Sequence, residues 1–145
     1  MDRETAFWWR WLVVAAVTVL AFGLSLILLP GPMQRAFESL YFSPRALSPL
    51  EPDAAAYAAF MGGVLGAVMI GWAVLLLFVL YGPFRRMDAL AWDMIAASLV
   101  AWFVADTGFS LWSGFWQNAI LNTVMLAAFS VPLVGTYRRF RRQRT

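Results

Sequence analysis

Residues 54–81 read AAAYAAFMGGVLGAVMIGWAVLLLFVLY, 28 residues without a charge. Small residues recur every four positions, at Ala59, Gly63, Ala67 and Gly71, and Gly62 and Gly66 form a second row beside them. On a helix of 3.6 residues per turn such rows lie along one side. In water this would be a poor helix, because each glycine costs about 1 kcal/mol relative to alanine. In lipid the same rows let another helix approach closely, held by dispersion and weak Cα–H···O contacts. The stretch is therefore expected to be the central helix of a membrane bundle. Ala59, Gly62, Gly63, Gly66, Ala67 and Gly71 are its expected helix-packing residues.

Composition agrees. The chain has 145 residues, 62% hydrophobic and 13% charged, with mean hydropathy +0.70. A soluble domain is nearer one quarter charged. Net charge is +3, and all eleven basic residues are arginine; Lys, His and Cys do not occur. Without His or Cys the ordinary zinc, iron–sulfur and haem sites are excluded. So are Ser-His-Asp and Cys-His nucleophile systems, disulfides, and lysine Schiff bases. No metal, cofactor or catalytic residue is expected.

Outward from the central helix, the chain divides into four apolar stretches, expected to span at about 8–29, 53–81, 88–110 and 115–137. Residues 11–29 are uncharged and long enough for one span. A signal peptide would have a shorter apolar core and a small-residue cleavage site. This run ends instead in Leu28-Leu29-Pro30-Gly31-Pro32, a stop for the first span. Trp8, Trp9 and Trp11 around Arg10 read as an interfacial anchor. In the loop 30–52, Met33, Phe37, Leu40 and Tyr41 share one helical face, which predicts a short surface helix. Ser48-Pro49-Leu50-Glu51 has capping-box spacing ahead of the second span. The third stretch is the least apolar, flanked by Asp93 and Asp106, and the fourth ends in the basic tail 138–145.

Arginine placement gives an orientation. With the amino terminus inside, nine arginines (3, 10, 85, 86, 138, 139, 141, 142 and 144) fall in inner segments and two (35 and 45) in outer ones. That is a strong positive-inside asymmetry. The expected fold is an all-α, integral membrane four-helix bundle with both termini cytoplasmic, in a bacterial inner membrane. Arg138, Arg139, Arg141, Arg142 and Arg144 would meet anionic headgroups, at about 1 kcal/mol each. Topology accounts for their charge, so no nucleic acid partner is expected.

The remaining polar residues collect at the outer ends of the helices. Asp106, Gln117, Asn118, Asn122 and Tyr57 form a candidate site for a small polar or lipid-like ligand, against a reading as polar glue between helices. Asp93 is a candidate proton site or ion pair, with Arg10, Arg85, Arg86 or Arg138 at similar depth. The helix number, the run Phe60-Met61-Gly62-Gly63-Val64-Leu65-Gly66-Ala67 and Asp106 closing helix three together resemble small bacterial four-span membrane proteins of DoxX-like style. That resemblance implies the fold and no activity.

Three functions follow in order. The first is a non-enzymatic structural or accessory subunit, packing against itself or other membrane subunits. The second is a carrier at the outer polar cluster, and the third an enzyme using Asp106 or Glu51. Reversing the charge of the tail should invert or scramble the orientation, read by labelling single cysteines placed in this cysteine-free chain. An unchanged labelling pattern would remove the arginine argument.

Overall fold

A computed structural model describes residues 1–41 and 51–142. Among these residues five α-helices occur in order: α1 (Arg3–Leu28), α2 (Pro30–Tyr41), α3 (Pro52–Val79), α4 (Ala89–Trp112) and α5 (Trp116–Arg141). There is no strand among the described residues. The fold is an all-α helical bundle, and four of its helices are long and apolar enough to cross a membrane. Large apolar side chains face outward along them, among them Val14, Phe60, Val68, Phe78 and Val104. In water this surface would be a liability; beside lipid tails it is the expected solvent-facing side.

Helix ends differ from the sequence expectation where proline and aspartate chemistry was underread. Pro30-Gly31-Pro32 does not open a loop. A one-residue break at Leu29 is followed directly by α2, whose first turn holds both prolines, where an N–H is not needed. The third span starts at Ala89 because Asp88 caps it, accepting a 2.9 Å bond from the Leu90 amide. The third span, expected to end at 110, is helical through Trp112. The turn comes at Gly114, whose φ of +85° suits glycine, and the Phe115 amide reaches back to the Ser110 carbonyl at 2.8 Å. Glu51 leads into α3 at Pro52, while Ser48, Pro49 and Leu50 of the expected capping box lie outside the described residues.

The chain forms two compact units. The first comprises Met1–Val17 with Leu75–Thr145. Here α4 and α5 form an antiparallel hairpin, as cross-contacts pair early positions of one with late positions of the other. Asn122 bonds Thr107, Trp92 bonds the Leu133 carbonyl, and Arg141 bonds Asp93. The first half of α1 runs antiparallel to α5. Its core includes Leu12, Leu80, Ile95 and Leu99, with Phe84 and Phe140 in ring contact at 4.6 Å. The second unit, Thr18–Val74, holds the second half of α1, α2 and most of α3. Its buried side chains are few, chiefly Val19, Leu26 and Ala73.

Pro132 sets the packing of the first unit. Proline has no N–H, so the carbonyl four residues earlier, Ala128, loses its helical donor. The Trp11 indole of α1 donates to that carbonyl at 2.8 Å. The Trp92 indole of α4 donates to the neighbouring Leu133 carbonyl at 2.8 Å, so two helices hold α5 at its proline. A third indole repeats the device. Gly82 leaves helical geometry (φ −93°, ψ −105°) within the π-helical turn Leu80–Phe84, and Trp9 donates to the Leu80 carbonyl there at 2.9 Å.

Trp11→Phe should therefore lower stability by roughly 1–3 kcal/mol, the cost of an unsatisfied acceptor away from water. Pro132→Ala restores an amide donor for Ala128, so Trp11→Phe should cost clearly less in that background. Unfolding of the four proteins in mixed micelles reads the coupling, and equal costs in both backgrounds would sink the assignment.

Candidate functional site

In the second unit the sequence rows of α3 separate into two surfaces. Gly66 is buried against Gly23 of α1. A Cβ built on Gly66 would stand 2.5 Å from the Gly23 carbonyl oxygen, and one on Gly23 would stand 2.8 Å from that of Gly66. Two backbones meet here with no room for a methyl group. The helices run antiparallel through this point, which neither residue could occupy with a side chain. The signal for Gly23 was an isolated glycine inside a span, which the sequence reading passed over.

The other row is different. A Cβ on Gly63 or Gly71 would meet nothing within 4 Å, and Ala67 and Gly71 are exposed. A four-residue step turns a helix by about 40°. The row from Ala59 through Gly63 and Ala67 to Gly71 therefore leaves the α1 side and crosses onto the outward face. It forms a shallow furrow there, bordered by Phe60, Val64 and Val68, all well exposed. At its start, Ala59 and Gly62 border a groove under α2.

The polar residues of the first unit form a closed knot at the α4–α5 turn. The Asn118 side-chain amide donates to Asp106 Oδ1 at 3.0 Å and to Ser110 Oγ at 2.8 Å. The Ser110 hydroxyl donates to the Asp106 carbonyl at 2.7 Å, its own helix one turn back. One turn deeper, the buried Asn122 donates to Thr107 Oγ1 at 3.2 Å. Gln117 lies beside them, its buried Oε1 without a partner among the described residues. Tyr57 belongs to the second unit and is 65% exposed. Asp106 and Asn118 thus join α4 to α5 at the turn, and Asn122 joins them again through Thr107 one turn deeper.

Asp93 pairs with Arg141 at 3.0 Å, an arginine beyond the four expected at its depth. The reason is the length of α5. It runs a full turn past residue 137, so Tyr137 and Arg141 stack on one face against α4. The Arg141 guanidinium lies 5.6 Å from the Trp92 ring and 5.1 Å from the Tyr137 ring, a cation held by two aromatic faces and a carboxylate. Arg139 reaches across to α1, pairing with Asp2 and Glu4 and donating to Thr5 Oγ1 at 2.7 Å. The Thr5 hydroxyl and amide, with Arg139, hold the Asp2 carboxyl below the usual carboxylate range. Arg139 and Arg141 of the tail are thus held by α1 and α4. Arg138 and Arg142 are exposed, and Arg144 lies outside the described residues.

Trp8 was also missed as a packing residue. A Cβ on Gly135 would meet its indole at 2.9 Å, so Gly135 is the recess that admits the ring. Among known proteins, no family model, no curated protein and no solved structure matches the chain.

The two surfaces of α3 predict opposite outcomes for one substitution. Gly66→Ile should collapse the α1–α3 contact, seen as loss of folded protein after extraction. Gly63→Ile and Gly71→Ile should leave helicity and unfolding midpoint close to wild type. Equal damage from all three would refute the division.

Proposed function

We propose that this multi-pass membrane protein is a non-enzymatic accessory subunit that docks a neighbouring transmembrane helix along the α3 furrow of Gly63, Ala67 and Gly71. The single observation behind this is that the row is open while its companion at Gly66 is filled by α1. A small-residue furrow lets a second backbone come close over several turns, which is how helices associate where no hydrophobic driving force separates them from lipid. The chemistry of the rest supports it. Asp106, Asn118, Asn122 and Asp93 are taken up in bonds within the chain.

The docked helix belongs to a second copy or to another membrane subunit. The protein sits in a cell membrane, a bacterial inner membrane by its likeness to small bacterial four-span proteins, with both termini cytoplasmic. Arg138 and Arg142 at the tail meet anionic headgroups there.

The experiment is the native mass of the protein after gentle extraction from its own membrane, for wild type and for the Gly63→Ile/Gly71→Ile double variant. Wild type should run as an oligomer or with other polypeptides, and the double variant as a folded monomer. A monomeric wild type, or a double variant that assembles normally, would refute the reading.

A further inference from the structure

The helix α2 carries its own feature, a groove that begins where the small-residue row of α3 starts. It is amphipathic and lies along the second unit with Phe37 edge-on to Phe22 of α1 at 6.3 Å and Met33 within 3.3 Å of the Ser25 hydroxyl. Between α2 and α3 is a half-open groove of about 200 Å³. Its α3 side is built from Ala58, Ala59 and Gly62, and Leu26, Pro30, Met33 and Phe37 add to the apolar lining. Gly62 has open space where a Cβ would be, so the floor is left low.

One charge borders this apolar space. Glu38 lines the groove half-buried, its Oε1 accepting a 3.0 Å bond from Gln34 Nε2. Next to it the Phe37 and Tyr41 rings lie stacked at 5.8 Å with planes 12° apart. Both rings line the same groove, and no basic side chain lines it among the described residues. A carboxylate beside an apolar surface gains from a positive partner, because its own solvation is reduced. Aromatic faces attract cations, and ammonium groups above all when partly desolvated. The groove is larger than the roughly 150 Å³ cavity that holds a benzene, and below the roughly 300 Å³ at which drug-sized sites begin. Its room suits a small head with a short alkyl chain.

We infer that this groove binds a monocationic amphiphile, its ammonium group against Glu38 and the Phe37–Tyr41 rings and its alkyl chain on Ala58, Ala59 and Gly62. The charge selects the ligand. An anionic amphiphile of the same chain would bring like charge to Glu38, and a neutral one would gain only the apolar contact. The site needs no second subunit, so it stands whether or not the α3 furrow is a docking face.

The test is equilibrium binding of radiolabelled octyltrimethylammonium to the full chain in nanodiscs, with empty nanodiscs subtracted. Binding should saturate near equimolar with the chain. Glu38→Gln should weaken it roughly tenfold, the scale of one lost charge contact, and Glu38→Asp should recover part of the affinity. Gly62→Leu, which fills the floor, should remove binding while circular dichroism stays unchanged. Octyl sulfonate should fail to displace the probe. The inference is overturned by no saturable component above empty discs, by unaltered binding in Glu38→Gln, or by displacement with octyl sulfonate as effective as with unlabelled probe. Should Gly62→Leu fail to fold, the rim variants at Glu38 decide alone.

Discussion

Within an apolar medium no water is present to satisfy a backbone group, and every irregularity in a spanning helix must be answered from inside the protein. The first compact unit is arranged around that constraint. Pro132 deprives Ala128 of its donor, and Trp11 supplies one from α1. Trp92 supplies another at Leu133 from α4, and Trp9 does the same at the break near Gly82. Each indole brings a large apolar body together with a single donor, which suits a site that is greasy except for one exposed carbonyl. The proline thus ties α1 to α5, since the Trp11 indole supplies the donor that the Ala128 carbonyl lacks.

The same economy of polar groups governs the two ends of the first unit. At the α4–α5 turn, Asn118 joins Asp106 and Ser110, so the carboxylate meets an amide across the hairpin. At the opposite end, Arg141 is held by Asp93, Trp92 and Tyr137, and Arg139 by Asp2, Glu4 and Thr5. The arginine clasps are partly exposed, so salt and competing ions weaken them. Their value lies in register. A guanidinium with five donors in a fixed fork, between two rings and a carboxylate, tolerates little sliding of α5 along α4.

Much of the architecture was legible because lipid selects composition strongly. The charge-free run 54–81, the spacing of its glycines and the four apolar stretches needed only counting. Helix ends were less legible where a residue has two uses. Pro30 and Pro32 stop one helix and equally start the next, and only the observed helix from Pro30 decides between them. Asp88 was readable as a cap from its place before Ala-Leu-Ala, and the expectation of a span from residue 88 obscured it. The tryptophans illustrate a deeper limit. Trp8, Trp9 and Trp11 have the composition of an interfacial belt. Yet Trp9 and Trp11 donate across helices, and Trp8 fills the recess at Gly135. Which carbonyl an indole reaches depends on which helix stands beside it, and local spacing carries no such information. Arg141 was hidden for the same reason, since its pairing with Asp93 follows from how far α5 runs.

The six small residues of α3 form two rows in the sequence and divide differently in the structure: Gly66 meets α1, Ala59 and Gly62 border the groove under α2, and Gly63, Ala67 and Gly71 meet no other helix in close contact. Gly66 is needed by the fold, because any side chain there would strike the Gly23 carbonyl. Gly63 and Gly71 are not needed by it, because a side chain would meet open space. Glycine in a helix interior costs about 1 kcal/mol relative to alanine even when nothing touches it. Two glycines kept in one row without an internal packing role are therefore a cost that the isolated chain does not recover. A closely approaching backbone from outside would recover it through contacts that larger residues forbid. The physical argument for a partner rests on this difference between neighbours on one helix, with Gly66 as the internal standard for what a satisfied glycine looks like.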